Sequence, residues 1–226
     1  MMKALSRFVT VMTAGISLFA ADRVAAQMAA PAAPPKIVTV KNVYGLESNA
    51  RLRTPVYTVN GGSKIIRSSS SGIREWVQTI AEFYTVSDVK SRWLNQVTFQ
   101  FYVLTAIDSK ETKPGEPKQK EYTLFRGSIA YQDVDRSQRQ AHWAAMFLRP
   151  SVIPRYGDPV AVAVEVTVDG QIVDAKSEVD RRFDTIGREK EWWKNPKLVV
   201  KDGYLLKPDA TPFAFINYDD FEETAQ

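Results

Sequence analysis

Three observations predict an antiparallel β-sandwich with little helix. Val160, Val162, Val164, Val166 and Val168 recur at period two, which places all five on one face of a strand. Asp169-Gly170 follows and suits a type I′ turn, whose two central residues both need φ > 0. Elsewhere, β-branched and aromatic segments are separated by turn signals roughly every 8–15 residues. An immunoglobulin-like arrangement without a disulfide fits this pattern first, and a jelly roll second.

The chain opens with Lys3 and Arg7, an apolar run over 8–21, then Asp22-Arg23 and the small residues Val24-Ala25-Ala26. This is the three-part layout of a secretory signal over residues 1–26, cut after Ala26. The run is short for a bilayer span. A pilin-type cut after Gly15 would put Ala20 fifth, where bacterial pilins carry a glutamate. Export is therefore expected, to the periplasm, the outer-membrane surface or the medium, with no membrane span after processing.

Residues 27–36 read as an extended Ala/Pro tether, and residues 37–222 as a single sandwich domain. Removal of residues 1–26 takes Lys3, Arg7, Arg23 and Asp22, leaving 27 basic and 25 acidic side chains and a charge of +2. That balance gives no support to a nucleic-acid partner. Some 200 residues can bury about 70% of the surface the unfolded chain exposes. The sequence has no cysteine, which excludes disulfide staples, thiol catalysis, thiolate metal sites and a lipoprotein anchor.

Ile37, Val38, Val40, Val43 and Tyr44 predict a first strand, on an edge. Residues 45–54 are polar, and 55–59 read as a short strand closed by Asn60-Gly61-Gly62-Ser63. Ser68-Ser69-Ser70-Ser71-Gly72 is a loop without the Gly-x-Ser-x-Gly surroundings of a nucleophile elbow. Residues 74–87 alternate, with Val77, Ala81 and Phe83 on one side and Trp76, Ile80 and Tyr84 on the other. Residues 97–107 and 122–131 form the next two strands, with Gly127 read as a bulge. The lysine-rich 110–120 is a solvated hairpin tip.

Residues 140–148 suit either strand or helix, and the alternation of Trp143, Ala145 and Phe147 favours strand. Residues 154–157 form a compact loop. In the valine hairpin, a two-residue turn sets Val166 opposite Val173, Val164 opposite Ala175 and Glu165 opposite Asp174. One face is thus core and the other mostly wet. Residues 184–195 read as one or two helical turns stopped by Pro196. Strands at 198–200, 204–206 and 213–218 and an acidic tail at 219–223 complete the chain.

Chemistry is sparse. His142 is the sole histidine, and nothing places a nucleophile and an acid beside it. No calcium loop, phosphate loop, dinucleotide fingerprint or metalloprotease helix occurs. Catalytic residues, cofactors and metals are accordingly not expected. The candidate partner-binding residues are Trp192 and Trp193. Adjacent tryptophans diverge, so one packs while the other, among Lys190, Glu191 and Lys194, can anchor a protein or a sugar. The competing reading, a plug that closes one end of the sandwich with both rings, is favoured, because large aromatics usually bury most of their area.

Phe147-Leu-Arg-Pro-Ser151, Arg155-Tyr-Gly157 and the Val-Asp-Gly hairpin, behind a signal peptide and an Ala/Pro tether, carry a resemblance. Over about residues 36–222 the chain resembles small exported immunoglobulin-like proteins encoded beside type IV pilus genes in mucus-dwelling bacteria of the Verrucomicrobia type. The resemblance implies an immunoglobulin-like fold related to pilus subunits and a role at the cell surface, with no catalytic residues to carry over. The expected function is a non-enzymatic surface or periplasmic interaction component, pilus-associated or adhesive. The alternative is a module that binds host or mucin glycan through exposed aromatics.

Overall fold

Inward-facing valines and phenylalanines from two sheets make one continuous core, and every other feature is arranged around it. A computed structural model describes residues 36–54, 75–86, 91–109, 119–136, 141–183, 186 and 189–214. The signal peptide, residues 27–35 of the tether, the strand at 55–59, the Ser68–Gly72 loop, 110–118 of the hairpin tip and the acidic tail lie outside them.

The described residues form ten strands: β1 (Val38–Tyr44), β2 (Arg51–Arg53), β3 (Glu75–Thr85), β4 (Trp93–Asp108), β5 (Lys120–Asp135), β6 (His142–Leu148), β7 (Asp158–Val168), β8 (Gln171–Val179), β9 (Val199–Asp202) and β10 (Leu205–Leu206). The first sheet runs β1-β3-β6-β10, with β2 also paired to β3; the second runs β8-β7-β4-β5-β9. The fold is an all-β sandwich, as the alternation predicts. The strand reading of residues 140–148 holds, because His142–Leu148 pairs along β3 from Phe83 to Val77.

Val38, Val40, Val77, Phe83 and Leu148 from the first sheet pack on Val97, Phe99, Phe101, Phe125 and Ile129 from the second. Phe83 lies 4.6 Å from Phe99 between ring centroids. His142 is part of this interior: its imidazole is buried, 5.6 Å from the Phe83 ring.

Several expectations need correction. The sandwich is not wholly antiparallel, since β9 pairs with β5 in parallel. Ahead of β9, Trp192 and Trp193 pack on the outer face of the second sheet, and β9 then runs along β5 in the same direction. Gly127 is not a bulge. It sits in an unbroken register opposite Phe101; a Cβ there would come within 2.7 Å of Met146 Cε and 2.8 Å of the Leu205 carbonyl oxygen. Glycine is needed for close approach of the two layers. Residues 153–156 form one helical turn rather than a loop. Phe213 and Ala214 are not strand but follow a 3-10 turn over Pro208–Ala210.

The valine hairpin keeps its turn: Asp169 and Gly170 both have positive φ, 49° and 79°. Its register differs. Thr167 faces Ile172, but Val166 faces Asp174, Glu165 faces Ala175 and Val164 faces Lys176. The extra residue, Val173, is a bulge, and beyond it every β8 side chain has changed faces. Asp174 and Lys176 are consequently turned towards β1. A second irregularity between Leu104 and Thr105 takes Val160 out of the valine row, and it packs in the cluster on the outer face.

Those two displaced polar residues bridge the sandwich corner. Asp174 Oδ2 accepts the Val40 backbone N–H at 2.8 Å, and the Lys176 ammonium donates to the Lys41 carbonyl. Lys36 stands 3.9 Å from the other Asp174 oxygen. No helix among the described residues is long and apolar enough to cross a membrane.

Candidate functional site on the outer sheet faces

The outer face of the second sheet is not wet. Leu104, Leu124, Val160, Ala161 and Ala163 form an apolar patch there, and Trp192 and Trp193 cover it. Glu191, in the left-handed conformation at φ 60°, turns the chain into a 3-10 turn over Trp192–Lys194, which lays both indoles down. Trp192 is 3% and Trp193 7% exposed. The rings meet edge to face at 5.6 Å, and Trp193 lies 6.2 Å from Tyr102.

Neither ring faces outward: both are buried, as the plug reading expects, but over a sheet face rather than at one end of the sandwich, and the outward anchor is not found. A 3-10 turn separates neighbouring side chains by about 120°, and the curved, small-residue surface of Ala161 and Ala163 accepts both. As candidate partner-binding residues they present no open surface; they act as a cover on the sheet.

A charged group lies under that cover. Glu165 is only 6% exposed. Its Oε2 accepts the Tyr102 hydroxyl at 2.9 Å, and its Oε1 lies 2.8 Å from the Lys194 ammonium. Burial acts to raise the Glu165 carboxyl pKa; its polar contacts, led by Lys194 and including the Tyr102 hydroxyl, outweigh it and leave the carboxyl below its ordinary value. The Tyr102 hydroxyl is pushed up, first by burial and then by its bond to Glu165. The Lys194 ammonium is raised chiefly by its hydrogen bond to Glu165. This arrangement stabilises the cover and shields the Glu165 carboxylate from solvent, with Lys194 at its exposed edge.

The outer face of the first sheet differs at its two ends. At one end Phe213 stacks on Phe147 at 4.9 Å and meets the Trp76 edge at 5.9 Å, so the chain itself covers that surface. At the other end, among the described residues, Trp143 and Tyr44 are exposed. Register sets Asn42, Glu82 and Trp143 in one row across β1, β3 and β6. Tyr44 and Tyr84 share this face, because Tyr44 pairs with Ile80 and Tyr84 with Thr39.

The Glu82 carboxylate collects four donors: Asn42 Nδ2 at 2.8 Å, Tyr44 Oη at 3.0 Å, Lys41 Nζ at 3.2 Å and Tyr84 Oη at 3.4 Å. The hydrogen bond from Asn42 is the chief influence holding this carboxyl below its usual range, against a smaller opposing effect of burial. Lys41 also stands 5.4 Å over the Tyr84 ring. Beside this network Trp143 is 51% exposed and Tyr44 36%, while His142 and Ala144 on either side of Trp143 are buried.

The sequence reading missed this site, and the β6 alternation does not mark it: Trp143 lies on the same side as Ala145 and Phe147, which are buried, opposite the core residues His142, Ala144 and Met146. An exposed large aromatic is the informative kind of departure, and here the structure alone reveals it. Among the described residues, no group of three or more His, Asp or Glu side chains is placed to hold a metal ion.

Fold and surface define a class: a cysteine-free β-sandwich with one outer face covered and the other partly presented to solvent. A protein-family model matches residues 46–226, and the chain belongs to that family. It is similar in fold to a protein of Akkermansia muciniphila solved by crystallography. That match has 20% identity and a TM-score of 0.59, and spans 84% of this chain and 93% of the other. No curated protein matches the chain.

Proposed function

We propose that the chain is a non-enzymatic, exported interaction protein of the cell surface or periplasm, associated with type IV pili or adhesion and built on an immunoglobulin-like sandwich. The observation that carries this reading is the exposed Trp143 beside the anchored Glu82 carboxylate on a rigid sheet. Exposed aromatics on a rigid scaffold are what binding surfaces use, since little side-chain entropy remains to be lost on contact. The pairing of β3 with β6, of β4 with β7 and of β7 with β8 supports the immunoglobulin-like description, because B–E and C–F–G pairings define those sheets. The motifs Phe147–Ser151 and Arg155–Gly157 support the link to pilus-associated proteins.

The test is fractionation of the native cell, with intact mass of the recovered protein and cross-linking of its neighbours. Recovery from the surface or periplasm, beginning at Gln27 and linked to pilus or adhesion proteins, is expected. Recovery from the cytosol with residues 1–26 retained would overturn the reading.

A further inference from the structure

We propose that the outer margin of β9 is a self-association surface: two copies add β9 to β9 antiparallel, about a two-fold axis at Val200, and join their second sheets into one. This margin belongs to the other sheet from Trp143 and does not depend on what binds there.

β9 ends the second sheet, and among the described residues it pairs only with β5. Its main-chain directions follow from the ladder beside it. The Ser109 N–H donates to the Gln119 carbonyl at 2.8 Å, in the register that sets Asp108 opposite Lys120. Odd-numbered residues of β4 and β5 therefore bond each other, and Leu124 and Arg126 turn their main-chain groups towards β9. Leu124 is the parallel partner of Val200, so it bonds to Val199 and Lys201 on either side. Val200 and Asp202 consequently direct their N–H and C=O groups away from the sheet.

The side chains at this margin leave it accessible. Val199 is 58% and Val200 46% exposed, one on each face of the strand. Lysine is a common guard of strand edges, but the Lys201 ammonium lies 5.3 Å over the Tyr156 ring. Asp202 is held by Arg126 at 2.9 and 3.0 Å. Elsewhere the margin of β1 is obstructed by Asp174 and Lys176, and that of β8 by the Val173 bulge.

A second copy is the occupant that fits. With the axis at Val200, that residue faces Val200 of the second copy, Val199 faces Lys201, and Leu198 faces Asp202. Val200 exchanges both main-chain bonds with its counterpart, and each Asp202 N–H reaches a Leu198 carbonyl. The Leu198 N–H is already given to the Asn195 carbonyl at 3.1 Å. Like charges do not stand opposite one another in this register. An axis at Val199 would set Lys197 against Lys201, and one at Lys201 would set that lysine against itself, both unfavourable. A self-complementary patch is what a two-fold contact requires. So short a strand buries far less than the ~1,600 Å² of a standard interface, which makes the dimer weak and dependent on concentration.

The test is sedimentation of the purified protein at concentrations up to about 1 mM, with cross-linking through a single thiol introduced into this cysteine-free chain. A reversible monomer–dimer equilibrium is expected. Val200→Lys sets two ammonium groups on the axis and should leave only monomer, with an unchanged melting temperature. Ile172→Lys, at a comparably exposed position on β8, should leave the dimer intact. Under mild oxidation Val200→Cys should form a disulfide-linked dimer about tenfold faster than Ile172→Cys, or more.

Three outcomes overturn the proposal: monomer at every concentration, a dimer that survives Val200→Lys, or equal oxidation rates at positions 200 and 172. Capture of a different protein of the native cell by Val200→Cys, in place of a second copy, would also overturn it and assign the margin to a foreign strand.

Discussion

Glu165→Lys separates a dry outer face from a wet one. On a wet face the change would be mild, and the cross-strand register expected from the turn would even favour it. In the structure it replaces the acceptor of the Tyr102 hydroxyl at 2.9 Å and sets a second ammonium against Lys194, which stands 2.8 Å from the present carboxylate. Breaking a buried charge pair costs about 3–5 kcal/mol, and an orphaned buried hydroxyl about 1–3 kcal/mol. Lys194 is 44% exposed at its side chain, so solvent screens much of the Coulomb share. A net loss of about 3 kcal/mol follows. At about 2–4 °C per kcal/mol for a domain of this size, the melting temperature should fall by roughly 6–12 °C. Thermal and urea unfolding measure it, and Glu165→Lys combined with Lys194→Glu should recover part of the loss. A single variant within about 0.5 kcal/mol of wild type would refute the buried pair. The linkage also has a sign. Glu165 has a depressed folded pKa, so its contribution is present above the ordinary carboxylate range and is lost as the pH falls through the folded value.

Three further outcomes are expected. Trp192→Ala and Trp193→Ala should each destabilise by about 3–5 kcal/mol; wild-type melting of either variant would place that ring outside. Glu178 has a raised carboxyl pKa, from burial first and the charge of Glu47 second, so ionising it weakens the fold as pH rises from about 4.3. Glu178→Gln should therefore gain stability over wild type at pH 7 and lose that advantage at pH 4, and an equal difference in urea melts at both values would contradict this. Gly157 has φ +82°, and a Cβ there would sit 1.8 Å from the Ala106 carbonyl oxygen. Gly157→Ala should destabilise by about 3 kcal/mol or more, measurable as lost soluble yield and a lower melting temperature.

The inner layers were legible because alternation is a direct consequence of the pleat. Val77, Ala81 and Phe83, and the row from Val162 to Val168, went inward as their period requires. The turn at Asp169-Gly170 was legible for the same local reason, since few other residue pairs tolerate two positive φ values. Val173 was not legible. Its bulge is decided by what β8 meets across the corner, where Asp174 gains the Val40 N–H, and that partner is 134 residues away in sequence. The Trp192-Trp193 cover was half legible: their bulk argued for burial, but the surface they bury against is made by Ala161, Ala163 and Leu104, whose outward apolarity looked like strand composition. Trp143 was not legible, because Ala145 and Phe147 on the same side of β6 are equally apolar, and what separates them is Phe213, which covers one end of that face and not the other.

The occupied margin of β1 has a consequence for how copies of the molecule meet. A free strand margin invites another chain to add to the sheet through main-chain hydrogen bonds. Here the Val40 N–H and the Lys41 carbonyl are already taken by Asp174 and Lys176, and Lys41 lies at a kink in the ladder. Those side chains form a zipper that turns the margin inward on its own fold. Strand addition at these two positions would have to displace an anchored carboxylate and an ammonium, which disfavours pairing there.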